Sequence, residues 1–177
     1  MTEKIIIAGF GGQGIMFMGK ALAEAAMLEG KNVTWLPAYG AEVRGGTANC
    51  MVVVSDEPIG SPFIEAADSL IIMNEPSLTR FQGRLSDKGL IVINSSLAKA
   101  GPGVKGSIAE QPFSDIAVKL GSIKAANIVA LGYFAAKTKL VGINSLIQVI
   151  TEMTPQDKKE LGVLNLAALS AGEKLTQ

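Results

Sequence analysis

Histidine is absent from the 177 residues. That excludes imidazole acid–base chemistry, a Ser-His-Asp triad and most zinc sites. Cysteine occurs once, at Cys50. No disulfide within the chain, no CxxC redox pair and no iron–sulfur cluster ligated by this chain alone can therefore form. Charge is scarce: 18% of residues are Asp, Glu, Lys or Arg, against about 25% in ordinary soluble domains. Sixteen basic residues balance sixteen acidic ones, which leaves no field of one sign for nucleic acid or an anionic membrane. No run reaches the roughly 18–20 apolar residues of a membrane span. The opening, Met1-Thr2-Glu3-Lys4 and then Ile5-Ile6-Ile7-Ala8, is too short for a signal-peptide core and lacks a cleavage site. The expectation is a cytoplasmic protein with no nucleic-acid or membrane partner.

What the chain has is apolar surface. Hydrophobic residues make up 48%, which excludes disorder. Combined with so little charge, it suggests that a partner covers part of the surface. The length suits one domain over residues 1–177.

Lys4 to Ala8 is a continuous β-branched run, the pattern of a strand buried on both faces. Glycines follow, and then Met16 to Glu29 reads as a helix with Met18, Leu22 and Ala25 on one face and Gly30 as its stop. Asn32 to Leu36 is a second strand, ended by Pro37, so the chain opens as a βαβ unit. Thr47 to Ser55 is a strong strand, a candidate for an added antiparallel one. Ser69–Met73, Gly89–Ile93 and Ser107–Glu110 are further strands, with a short helix at Pro76–Phe81. From Phe113 onward the pattern is helical: 114–120, 126–137, 145–153 and 155–171. Thr154, Pro155 and Asp157 look like the start of the last helix. The fold class is α/β: a single-domain three-layer sandwich on a mostly parallel sheet, with a Rossmann-like start and a helical C-terminal part.

Gly9-Phe10-Gly11-Gly12-Gln13-Gly14 matches G-x-G-x-x-G between a strand and a helix. Such a turn offers unpaired N–H groups to an anion. A dinucleotide site also wants an acid at the end of the second strand, to grip the ribose. Here that strand ends Trp35-Leu36-Pro37 with no acid. The turn therefore has two readings: a nucleotide site, or a tight turn that packs helix against sheet. A P-loop spacing at Gly14, Gly19 and Lys20 fails, because Ala21 stands where Ser or Thr is needed. The segment Tyr39 to Gly46 is loop-like, with Gly40, Gly45 and Gly46, and holds Arg44, one of three arginines. In an extended stretch Glu42 and Arg44 point to the same side. They either pair with each other or meet a carboxylate or phosphate.

Three stretches together resemble the gamma subunit of 2-oxoacid:ferredoxin oxidoreductases. They are Gly9–Gly14, the run Tyr39-Gly40-x-Glu42-x-Arg44-Gly45-Gly46-Thr47-Ala48-Asn49-Cys50, and Asp56-Glu57-Pro58-Ile59-Gly60-Ser61-Pro62. Asn127–Gly132 and Asn165–Leu169 add to the likeness, which is closest to the 2-oxoglutarate branch. The resemblance implies an assembly that oxidatively decarboxylates a 2-oxoacid, forms an acyl-coenzyme A and passes electrons to ferredoxin. Thiamine diphosphate would sit between alpha and beta subunits. Iron–sulfur clusters would sit in the beta and a ferredoxin-like subunit. This chain would carry no cofactor of its own, be inactive alone, and act structurally on the coenzyme A side. Candidate contacts with coenzyme A or a partner are Gly11, Gly12, Gln13, Gly14, Tyr39, Glu42, Arg44, Gly45 and Gly46. Alternatives are a subunit of indolepyruvate:ferredoxin oxidoreductase, a self-standing Rossmann-like nucleotide binder, and a small-ligand sensor.

Overall fold

The computed structural model describes residues 1–39 and 46–176. Its elements run β1 (Thr2–Phe10), α1 (Ile15–Leu28), β2 (Asn32–Tyr39), β3 (Thr47–Ser55), β4 (Ala67–Ile72), α2 (Glu75–Phe81), β5 (Leu85–Asn94), β6 (Ser107–Gln111), α3 (Phe113–Lys119), α4 (Ala126–Thr138), α5 (Ile143–Met153) and α6 (Lys159–Lys174). Short 3₁₀ turns lie at Gln82–Arg84 and Ile123–Ala125.

Six strands form one sheet in the order β2-β3-β1-β4-β5-β6. β1, β4, β5 and β6 are parallel, and β3 runs antiparallel to both β1 and β2. The expected added antiparallel strand is thus β3, and it is inserted between the two strands of the opening βαβ unit. The isoleucine run of β1 is buried on both faces because the pleat divides it. Ile5 and Ile7 face a core built with α1 and α3–α6. Ile6 and Ala8 face a smaller core with Ile64, Leu78, Phe81 and Leu85. One face of the sheet is therefore thickly roofed by helices. The other has the seven-residue α2, a 3₁₀ turn and loops.

Met18, Leu22 and Ala25 are fully buried, and α1 stops at Gly30 with φ +77°. Two expectations need correction. Pro37 does not end β2, which continues to Tyr39. β2 is an edge strand paired only with β3, and an edge tolerates a residue with no N–H to give. Residues 155–158 are not the first turn of the last helix. Thr154 seals the end of α5 instead: its hydroxyl donates to Ile150 O at 2.7 Å. Lys158 N donates to Pro155 O at 2.9 Å, closing one separate turn before α6 begins.

Candidate functional site

The carboxyl ends of β1 and β4 lie side by side, yet their connections part company. α1 leaves β1 over one face of the sheet, while α2 leaves β4 over the other. A crevice opens at such a divergence in α/β sheets. Gln13 lies in it. Its Oε1 accepts from Phe10 N at 2.7 Å and from Asn74 Nδ2 at 3.1 Å, and its Nε2 donates to Met73 O at 3.3 Å. Asn94, at the end of β5, donates to the same Met73 O at 3.3 Å and to Ser114 Oγ at 2.8 Å, and accepts from Ser114 N at 3.2 Å. Asn74 caps α2 by accepting from Ser77 N at 2.9 Å. Asn127 Nδ2 donates to Gly14 O at 3.2 Å and ties α4 to the start of α1. Four neutral amides thus hold the carboxyl ends of three strands and the amino ends of four helices.

This neutrality has an electrostatic result. α2 and α3 carry Glu75 and Asp115 in their first turns, whereas α1 has neither an acidic residue there nor a side-chain cap. α4, which has no acid either, continues the 3₁₀ turn that Ser122 caps by accepting from Lys124 N at 3.3 Å. The positive end of α1 stays uncompensated, and no carboxylate offsets that of α4. Beside them is a cleft of about 140 Å³ lined by Gly12, Gln13, Ser114, Lys124 and Ala126, with Leu97 and Ile123 as apolar rims. The arrangement suits an anionic group attached to an apolar one.

The glycines of the turn divide by role. A Cβ at Gly9 would lie 2.6 Å from Gln13 Oε1, and one at Gly14 would overlap the Asn127 amide. These two permit packing. Gly12 has φ +98°, and neither Gly11 nor Gly12 has an atom within 4 Å of a built Cβ. These two face open space, which packing alone does not require.

Of the loop candidates, Gly46 O accepts from Gly11 N at 3.3 Å, so the exit of that loop adjoins the turn. Tyr39 ends β2, and Glu42, Arg44 and Gly45 lie outside the described residues. The second strand, where a ribose-binding acid would be sought, is separated from β1 by β3. Two strand spacings, roughly 9–10 Å, take the end of β2 away from the turn. Sequence reasoning did not single out Asn74 or Lys124, or assign Asn94 and Asn127 a role. One signal was present: Asn follows the buried runs Ile71-Ile72-Met73 and Val92-Ile93 directly.

Cys50 does not fit a metal or redox role. It is fully buried under Gly19 of α1. Burial pushes its thiol up to about 12, with the Trp35 side chain opposing only weakly, whereas an iron–sulfur cluster takes several thiolates. Among the described residues no group of three potential ligands converges on a point. No helix among them is long and apolar enough to cross a membrane.

The family model for pyruvate ferredoxin/flavodoxin oxidoreductase matches residues 4–175. A ketoisovalerate oxidoreductase subunit VorA of Methanothermobacter thermautotrophicus is 40% identical over 170 residues, which are 96% of this chain and 35% of that one. The chain thus spans about a third of the length of that relative. A 2-oxoglutarate synthase subunit KorC of Methanocaldococcus jannaschii is 32% identical, covering 100% of this chain and 95% of its own. The gamma subunit of a keto/oxoacid ferredoxin oxidoreductase from Geobacter sulfurreducens superposes with a TM-score of 0.87 at 26% identity, over 98% of this chain and 95% of that one. By family match, identity and fold alike, the chain belongs to the pyruvate ferredoxin/flavodoxin oxidoreductase family, as a gamma-type unit.

Proposed function

We propose that this chain serves a 2-oxoacid:ferredoxin oxidoreductase as its non-redox gamma component and receives the anionic end of coenzyme A at the Gly11–Gly14 turn. The observation that carries the reading is the cleft beside two helix amino ends that carry no acidic residue, with Lys124 at its rim. Gly11 and Gly12 leave room for a phosphate to approach the backbone, and Lys124 supplies a mobile cation. Leu97 and Ile123 offer apolar surface to the remainder of the ligand. Coenzyme A supplies the thiol that takes up the acyl group. The decarboxylation and electron transfer belong to thiamine diphosphate and iron–sulfur clusters on alpha, beta and ferredoxin-like partners, with external ferredoxin as acceptor. The chain's own content supports that division: it has no histidine and one inert cysteine.

The resemblance favours 2-oxoglutarate as the oxoacid, while the VorA relative sets ketoisovalerate beside it. Initial rates of the purified complex on the two acids decide between them.

Isothermal titration of the chain, alone and in its complex, with coenzyme A and with NAD tests the site. Coenzyme A should bind in the complex, and Lys124→Glu should weaken it at least about tenfold, the loss expected of a desolvated charge contact. Micromolar binding of NAD by the lone chain, or its turnover of an oxoacid without partners, refutes the reading.

A further inference from the structure

The thinly covered face of the sheet carries the two arginines among the described residues, and each lies over a phenylalanine. Arg84 lies 5.4 Å over the Phe63 ring, and its Nε donates to Glu65 O at 3.2 Å. Arg80 lies 5.4 Å over the Phe81 ring and donates to Thr47 Oγ1 at 2.7 Å. Phe81 belongs to the small core under α2, and Ile64, next to Phe63, does so as well. Phe63 itself is 57% exposed, and Arg84 is half-buried.

A guanidinium held over an aromatic ring is partly oriented, so its fork meets a carboxylate at less entropic cost. Arg80 uses one terminal nitrogen on Thr47, and Arg84 only its Nε on Glu65 O. Among the described residues no carboxylate pairs with either guanidinium, and nothing bonds to the terminal nitrogens of Arg84. Open sheets of mostly parallel strands are normally covered on both faces; here α2, a 3₁₀ turn and loops bury the strand residues of this face, and Phe63 stands exposed on the outside of that cover. The VorA relative holds this unit within a chain nearly three times as long, of which it fills 35%. The face also adjoins the candidate site, because Thr47, which bonds Arg80, follows Gly46, which bonds Gly11.

We propose that this face, with Phe63 and Arg84 as its centre, docks a partner subunit that presents Asp or Glu side chains beside an apolar ridge. The proposal rests on the multisubunit reading above. Phe63 supplies the apolar anchor and Arg84 the bidentate charge contact, both residue types enriched at protein interfaces. Arg80 extends the contact toward Thr47, whose neighbour Gly46 bonds the Gly11 turn.

The test uses the complex purified from its host through a tag on this chain, beside the chain alone. Hydrogen exchange of residues 61–66 and 80–86 should slow at least about tenfold in the complex. Arg84→Glu should weaken reassociation of the separated subunits at least about tenfold, Arg84→Lys less, and Lys137→Glu on α4 not at all. A melt of the lone Arg84→Glu chain checks folding, and the exchange data on unaltered protein stand if that variant fails to fold. A complex that exchanges at these segments as the free chain does, or that tolerates a folded Arg84→Glu, overturns this inference alone. A tagged chain that purifies without partners overturns the multisubunit reading and the docking face together.

Discussion

Glu29, just past the end of α1, accepts a hydrogen bond from Gly142 N at 2.6 Å. Gly142 is the N-cap of α5 and has no side chain to cap with, so a residue from another helix performs the task. Lys31 joins the cluster, pairing with Glu29 at 3.2 Å and donating to Leu140 O. Partial burial raises the Glu29 carboxyl, but the Gly142 N–H, with Ser145 and Lys31, outweighs it and holds the group below its ordinary 4.5. A depressed folded pKa contributes stability above the unfolded pKa, and that stability is lost as pH falls through the folded one. Glu29→Ala should cost about 1 kcal/mol at pH 7. Glu29→Gln keeps the acceptor and should cost less. Thermal melts of wild type and Glu29→Gln should differ at neutral pH, draw together as pH falls below the ordinary 4.5, and converge only below the depressed folded value.

Gly132 and Gly172 mark where α4 and α6 cross. A Cβ on Gly132 would overlap Leu169 O, and one on Gly172 would overlap Val129 O. Both obstacles are backbone, which cannot swing aside. Alanine at either position gains about 1 kcal/mol of helix propensity but should lose about 3 to overpacking. The net loss of about 2 kcal/mol corresponds to a melting point lower by roughly 4–8 °C for a chain of this size. Calorimetry of Gly132→Ala measures it.

Gly11 and Gly12 separate stability from binding. Alanine at Gly11 meets no atom and needs no positive φ. Gly11→Ala should melt within about 0.5 kcal/mol of wild type and yet weaken coenzyme A in the complex. Gly12→Ala meets no atom either, but its φ of +98° should cost about 1–2 kcal/mol. Paired melts and titrations read both effects.

Arg44 was expected to meet a carboxylate or phosphate of a partner or of coenzyme A. Arg44→Lys keeps the charge and loses the fork. If its contact lies with a partner or a ligand, the lone chain should melt within about 1 kcal/mol of wild type. The complex should assemble more weakly or show a raised KM for coenzyme A. A variant that melts several degrees lower yet turns over normally would make Arg44 an internal brace.

The isoleucine run of β1, the valines of β3 and the glycine stop of α1 were legible, because burial on both faces and positive φ leave strong local marks. The placement of β3 in the midst of the sheet was less so, since pairing order depends on residues distant in sequence. Thr154-Pro155-x-Asp157 imitated a helix start; the Thr154 hydroxyl turned back to Ile150 instead. Gly11 and Gly46 proved to be neighbours, which their separation in sequence did not show. Asn74, Asn94, Asn127 and Lys124 act singly from four elements, and residues that meet only on folding leave no spacing to read.

The insertion of β3 sets an order of events. β1 can pair with β4 only across an intervening stretch of nearly sixty residues, and β2 joins the sheet only through β3. Three of the five strand pairings join consecutive strands, whereas the two that hold β1 do not, and such long-range pairings close slowly. Until residues 47–55 arrive, the isoleucines of β1 have no partner on that side. A growing chain halted before β3 would expose Ile5, Ile6 and Ile7 as a sticky edge. Fragments ending near residue 40 should aggregate, whereas those reaching beyond β4 should pair β2 with β3 first and gain protection along β1 last.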